Sequence, residues 1–529
     1  MQKISHAEVR MYRLGTGDCF AIKFFSKEKE EPVCKLMIDA GTWSGSGTDL
    51  EPYIKDLKQY LDNYADVLIV THEHKDHVHA FDVCKELFTE KDTKGKQFEV
   101  GELWMGWTEN DRLKKVKEWK EDYGEKKKAL GIAALTLQET MASPEFKKQF
   151  EGNRDAAKML GARETFGKVL NGFADLHVAF EASSTGKVYK GGLAGMEVVK
   201  KDIKKKEVKY YKPGDVIQGI GNVEGIRIYV LGPPELQEEI AQEAGGEGES
   251  YQHNKVLRES DTFGAAILHL AGNDNGMDAG VLPFDEKYYD IDKRLEYIQE
   301  PEGKEAILKE VDSMDTIKKI YEAKDWRRID YDWLFSAGAF ALRMNGLTNN
   351  LSLAVAIEFV DSGRVMLFPG DAEFGSWASW HTIDWKEDDR SNGNTDGKKQ
   401  KHLTEDLLNR TVFYKVAHHL SHNGTAQRLG LEMMKHKDLA AMATLDYNKI
   451  NDGWTSTMPN RSLIKELLLR TRGRLMIMNE EGLFYDFNEE VPMKDKIEDA
   501  RNSMTDKERK AFEKDFISNK RYLQYTVKA

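Results

Sequence analysis

Residues 71–80 read THEHKDHVHA, four histidines and two acids in ten positions. The whole chain has 14 histidines in 529 residues, so this density is far above what composition supplies. The stretch directly follows ADVLIV (65–70), a short, wholly apolar run that reads as a strand buried on both faces. The histidines therefore sit on a loop at the C-terminal end of a strand, where layered α/β proteins collect their sites. His72 and His74 are two apart, so on extended backbone they leave the same face. Asp76 and His77 follow where the chain must turn. Two imidazoles on one side and a carboxylate plus imidazole on the other suit a pair of neighbouring divalent cations. Such ligands match zinc, manganese or iron better than calcium. The plain alternative is a charged surface loop rich in histidine.

Outward from this loop, the chain alternates strands and helices. CFAIKFF (19–25) and CKLMIDAG (34–41) read as strands on either side of a charged turn. Residues 49–64 place Leu50, Ile54, Leu57 and Leu61 at helical spacing. Residues 105–180 read as helices rich in Lys and Glu, and 304–326 as another helix. GDVIQGIGNVEGIRIYVLGPP (214–234) reads as a strand pair with Gly-Asn at its turn. Segments 238–254 and 386–402 read as polar loops. LSLAVAIEFV (351–360), RVMLFPGD (364–371), TVFYKVAHH (411–419) and DLAAMATLDY (438–447) supply further strands. The tail reads as a charged helix, and no fixed-period repeat occurs.

Composition narrows the class. Lysine and arginine total 78 against 90 acids, a formal charge of −12. That balance argues against wrapping nucleic acid over the whole surface. No stretch of roughly 18 or more apolar residues occurs, so no membrane-spanning helix is expected. The N-terminal MQKISHAEVRMYRLG lacks the apolar centre of a signal peptide. The three cysteines lie far apart with no CxxC pair, which fits a reducing cytoplasm better than a disulfide framework.

His72-x-His74-x-Asp76-His77 resembles the signature of the metallo-β-lactamase fold superfamily. LGTGDCFAIKFF…CKLMIDAG is similar to its opening hairpin, and RVMLFPGD to the strand that delivers a bridging aspartate. FYKVAHHLSHNG resembles the KV-x-HHGS segment of one branch, that of the DNA-uptake competence protein (ComEC) and its soluble relatives. The resemblance covers roughly residues 5–85, 206–234 and 345–480. It implies an α/β fold, a four-layer αββα sandwich with large, mostly helical insertions. The core halves would be 1–89 and 345–490, with a return to the core sheet at 206–234. Insertions would occupy 90–205 and 235–344, and a helical tail 491–529.

The same resemblance implies two divalent ions, zinc or manganese. His72 and His74 would bind the first, joined by one of His418 and His419, with His419 favoured. Asp76 and His77 would bind the second, and Asp371 would bridge. Asp39 would orient a histidine. Where the branch carries a further histidine before a proline, this chain has Met458 before Pro459. Thioether is a poor ligand for such ions. The second ion is therefore expected to be weakly held. HHGS has become HHLS, with His422 just beyond. His79 is the histidine of the opening stretch with least claim on metal.

The implied chemistry is hydrolysis by metal-activated hydroxide, most specifically of a phosphodiester. Asp76 would hold the attacking water. His418, His422 or Lys75 would supply a proton to the leaving group. No serine or cysteine nucleophile is required, and Ser421 reads as a loop residue. Residues 200–212, KKDIKKKEVKYYK, carry seven lysines and two tyrosines, a pattern that fits nucleic acid or a solvated hairpin. Trp104, Trp107, Trp377, Trp380 and Trp454 read as packing residues. Two other readings stand. One is hydrolysis of a small ester, lactone or peptide bond. The other is a scaffold with an incomplete metal site whose helical insertions dock a protein partner.

Overall fold

A computed structural model of the chain describes residues 3–121, 123–124, 181–183, 186–188, 191–221, 223–242, 245, 249, 346–385, 402–450, 458–486 and 490–529. The chain divides into two compact units. One comprises Met1–Lys120, Asp175–Lys255 and Asn345–Ala529; the other comprises Glu121–Ala174 and Val256–Met344. Every element below belongs to the first. The expected helices over 125–180 and 304–326, the loop over 386–401 and Trp454 lie outside the described residues.

The first unit is mixed α/β, built on two large sheets. Its strands are β1 (Ile4–Tyr12), β2 (Phe20–Ser26), β3 (Cys34–Ile38), β4 (Tyr64–Ile69), β5 (Glu99–Gly106), a short hairpin of β6 (Glu181–Ser183) and β7 (Gly186–Val188), β8 (Lys204–Tyr211), β9 (Val216–Ile220), β10 (Val223–Val230), β11 (Val355–Phe359), β12 (Val365–Phe368), β13 (Thr411–Lys415), β14 (Ala440–Asp446), β15 (Leu475–Asn479), a second short hairpin of β16 (Phe484–Asp486) and β17 (Val491–Pro492), β18 (Phe516–Ser518) and β19 (Tyr522–Lys528). The first sheet runs β18-β19-β1-β2-β3-β4-β5-β8, and the second β15-β14-β13-β12-β11-β10-β9. In the first, β3, β4, β5 and β8 are parallel neighbours. In the second, β12 to β15 are.

Period-two alternation sorts each strand's side chains between two faces. Phe20, Ile22 and Phe24 of β2 join Ile226, Ile228, Phe359 and Phe368 of the second sheet in one buried core. Phe20 meets Phe368 edge-on at 5.9 Å between ring centroids, and Phe24 meets Phe359 at 6.3 Å. Each such phenylalanine contributes about 1.5–3 kcal/mol relative to exposure. The opposite face of the first sheet, through Ala21, Met37 and Leu68, packs on two helices. One is Gly47–Tyr60, started by a capping box between Ser46 and Asp49. It buries Leu50, Ile54 and Leu57, with Leu61 just beyond its end. The other is Lys75–Val83, which carries the second half of the histidine stretch. Helix Arg461–Thr471 packs on β14 and β15.

Three expectations change. Residues 99–106, assigned to a helical insertion, form β5 inside the first sheet. The tail is helical only over Met493–Asn502 and Asp506–Asp515. It then returns as β19, pairing along β1, because Leu523, Tyr525 and Val527 alternate and supply the core. The opening strand β1, Ile4–Tyr12, lies in the stretch before the first strand recognised from the sequence.

The lysine-rich stretch resolves into β8, the edge of the first sheet. Lys200 pairs with Glu109 at 2.5 Å, Lys204 with Glu99 at 2.5 Å, Lys209 with Glu102 at 2.8 Å and Lys212 with Glu235 at 3.4 Å. Lys201 pairs with Glu197. Lys205 donates to the carbonyls of Val199 and Ile203, and Lys206 lies over the Tyr64 ring. Tyr211 packs on Trp104, and Tyr210 packs against the helix-side core. Five of the seven lysines are matched by local acids, and both tyrosine rings pack against neighbouring residues. A lysine-rich edge strand also resists pairing with other sheets.

Candidate metal centre

The histidine stretch begins where β4 ends and passes into helix Lys75–Val83, for which His74 is the N-cap. Parallel strands bring their C-terminal ends to one side. Asp39 follows β3, and His72 to His77 follow β4. Asp371 follows β12, His418 and His419 follow β13, and Thr444 lies near the end of β14. Gly41 permits the close approach: a Cβ there would lie 2.2 Å from the Asp76 carbonyl carbon and the His77 nitrogen.

Four side chains, Asp18, His77, Asp371 and His419, bring one ligand atom each within 4.8 Å of one another, all buried. His77 Nε2 lies 3.0 Å and His419 Nε2 3.1 Å from Asp371 Oδ2. His419 Nε2 is also 3.0 Å from Asp76 Oδ2. Asp18 has both oxygens engaged, by Lys415 Nζ at 2.6 Å and by Thr444 Oγ1 at 2.7 Å. It orients its neighbours, whereas Asp76 and Asp371 each keep an oxygen open.

The outer nitrogens set the tautomers. His77 Nδ1 donates to Asp39 Oδ2 at 2.7 Å. Thr444 gives its hydroxyl proton to Asp18 and so accepts from His419 Nδ1 at 2.7 Å. Both rings therefore turn an Nε2 lone pair onto carboxylate oxygens. That arrangement holds with an extra proton on each ring or with a cation between them. Burial alone would strip the proton from His77, but Asp371, Asp18 and Asp39 overcome it and hold the ring well above the ordinary imidazole value. His419 is likewise held up at about 9 against burial by Asp371 and Asp76. Burial would lift Asp76, yet His77 and His419 hold it at about 2.

These residues fit a divalent cation. Asp76 Oδ1 is buried with no hydrogen-bond partner among the described residues, which a purely structural network avoids. His77 Nε2 and Asp371 Oδ2 meet each other as an ion pair, the place a cation would take. Asp39 and Thr444 also play the part of the outer partners that fix metal-binding imidazoles. The cluster could hold a metal; neither the identity nor the number of ions is set by the geometry.

His72 and His74 form a different pair. His72 Nδ1 faces Thr71 Oγ1 at 3.1 Å and Ser352 Oγ at 3.2 Å, leaving Nε2 directed at His74 Nδ1, 2.9 Å away. Burial drives His72 well below its ordinary value, reinforced by His77 and His74. Two ring nitrogens converge here, as a shared ion requires, but a simple hydrogen bond between rings also satisfies them.

The structure corrects the expected partition. His419 faces Asp76 and Asp371, so it belongs with the acidic cluster and not with His72 and His74. Met458 is fully buried, and His419 is the histidine that faces the acidic cluster. His418 is no member of the cluster: Nδ1 faces Asn423 Oδ1 at 3.1 Å, and Nε2 faces Asn349 Nδ2 at 3.4 Å. Burial pushes it down to about 4. His418, His419 and Leu420 are consecutive left-handed residues, with φ of 47°, 50° and 68°. Left-handed backbone costs a non-glycine residue roughly 1–2 kcal/mol. The turn that aims the two rings apart is therefore held against strain. His422 is partly exposed, close enough to His418 for their charges to oppose. His79 donates its Nε2–H to the Gly45 carbonyl at 2.9 Å and not to a member of the cluster. Asp18, Lys415, Thr444 and Trp43 escaped the sequence reading. GTGD (15–18) and the lysine ending an otherwise apolar strand were the available signals. No protein-family model matches the chain, and no match was found among curated proteins or solved structures.

Proposed function

We propose that the chain is a metal-dependent hydrolase of the metallo-β-lactamase fold that cleaves phosphodiesters. The convergence of Asp76, His77, Asp371 and His419 in one buried cluster carries this reading. The fold reading draws support from the two face-to-face sheets, the helices packed on the first, and the order in which the strand ends deliver these residues. Phosphodiester specificity rests on the HHLS segment and its likeness to the competence-protein branch; the paired lysines of β8 add nothing to it.

A divalent ion in the cluster would supply Lewis acidity toward a phosphoryl oxygen and bring water within reach of ionisation near neutral pH. Asp76, His77, Asp371 and His419 would hold that ion, and His72 with His74 a second. Asp39 and Thr444 keep the two Nδ1 protons in place, so each Nε2 stays available. Lys415 offsets part of the charge of Asp18 and Asp371. Asp76 is the residue to hold the attacking water, and His422, close to His418, the residue to protonate the leaving group.

The test is metal content together with a cleavage screen. With manganese or zinc, the protein should cut single-stranded DNA, RNA or a chromogenic phosphodiester, and H72A and D371A should both lose activity. Activity surviving in both variants would refute the assignment. Cleavage confined to an ester, lactone or peptide would replace the substrate class.

A further inference from the structure

On each candidate carboxylate ligand one oxygen accepts a hydrogen bond from the protein, and the other has no hydrogen-bond partner among the described residues. On Asp371, Oδ1 accepts from Lys415 Nζ at 3.0 Å and from the His418 backbone N–H at 3.2 Å. Its Oδ2 has no hydrogen-bond donor among the described residues and faces the two Nε2 atoms. On Asp76, Oδ2 accepts from the Trp43 indole Nε1 at 2.8 Å and lies 3.0 Å from His419 Nε2, while Oδ1 is buried with no hydrogen-bond partner among the described residues. A carboxylate with both oxygens open can turn, and can hold an ion through one oxygen or two. With one oxygen pinned, it presents the other in a single direction.

We propose that Trp43 and Lys415 are positioning residues that fix which oxygen Asp76 and Asp371 present to the ion. This rests on the metal-centre reading above. Trp43 lies on the loop between β3 and the first helix, 33 residues before Asp76 in sequence. Its backbone N–H is tied to the Thr16 carbonyl at 3.1 Å. Its ring stands edge-on to His419, with centroids 6.3 Å apart and planes at 78°. One half-buried side chain thus touches a carboxylate of the cluster through its donor and an imidazole of the cluster through its ring. Lys415 is buried, with contacts to Asp18 Oδ2 at 2.6 Å, Asp371 Oδ1 at 3.0 Å and the Gly370 carbonyl at 2.8 Å. All three ammonium protons have acceptors inside the protein. Lys415 therefore acts on Asp371 and not on a substrate.

W43F separates positioning from packing, because it keeps an aromatic ring and deletes only the donor. Chelator-treated wild type, W43F and K415Q are titrated with Mn²⁺ and with Zn²⁺, by calorimetry and by tryptophan fluorescence. Thermal melts in chelator check the fold. W43F should bind the ion about 10–100-fold more weakly, the range seen for outer partners of metal ligands. Its metal-free melt should match wild type, and the wild-type fluorescence change on metal addition should be lost. K415Q, which keeps a donor but no charge, should also bind more weakly, and carries the test if W43F does not fold. Wild-type affinity in a folded W43F or K415Q overturns the inference. If wild type itself binds neither ion, the metal-centre reading falls, and this inference with it.

Discussion

Two pairs of histidines meet in this cluster and do different work. His77 and His419 each give one nitrogen to an oxygen acceptor and turn the other onto a carboxylate. His72 Nε2 and His74 Nδ1 face each other. The first arrangement sets both Nε2 atoms against negative charge, where a proton on each ring or a cation fits. The second sets two ring nitrogens together with one proton between them. Residue type is the same in both pairs; the partners differ. On this comparison the acidic cluster would be the tighter metal site, and His72 with His74 the weaker. That reverses the order expected from Met458.

Several substitutions can break this ordering. D371A removes the oxygen faced by both His77 and His419. Hydrolysis should fall by about 10³-fold, the equivalent of about 4 kcal/mol of lost stabilisation. Steady-state rates with saturating Mn²⁺ measure it. Next comes a matched pair, H419A and H72A. H419A should weaken the first ion bound by more than about 100-fold, beyond what loss of an outer partner costs. H72A should weaken that ion by less than about tenfold while removing the second. Calorimetric titration reads both, and equal losses would erase the distinction drawn here. D39N should lower affinity for the first ion by about 10–100-fold, because it removes the charge that holds the His77 tautomer.

The smallest effect is expected at the sheet edge. Replacing Lys206 and Lys212 by glutamine should change the KM for a nucleic-acid substrate by less than about twofold, since β8 balances its own charges. A large rise in KM would restore the edge strand as a binding surface.

Much of the centre was legible in the sequence, for identifiable reasons. His72, His74, Asp76 and His77 stand out because one short loop carries them after an apolar run. Asp371 and His419 stand out because each ends a run of the same kind. Such strands must be buried, and their ends must reach a common edge. Residues supplied by tertiary assembly were not legible. Asp18 comes from a hairpin turn and Trp43 from a glycine-rich loop. Lys415 looks like the end of a core strand, and Thr444 like a residue inside one. None has a local pattern that distinguishes it. The partition of His418 and His419 was also beyond reach, because it depends on a left-handed turn that sends adjacent side chains to different partners. Leu420, at φ 68°, occupies conformational space that favours glycine, the residue expected there from HHGS. β19 was missed for a related reason: its alternation is short, and its partner β1 is nearly the whole chain away.

The ordering of the two histidine pairs is tested most directly by locating the ion. Crystals of the protein loaded with one equivalent of Mn²⁺ or Zn²⁺ should show a single anomalous-scattering peak among Asp76, His77, Asp371 and His419. A second peak, between His72 and His74, should emerge only at higher metal concentration. A first peak at His72 and His74, or no peak in the cluster at saturating metal, would contradict the account.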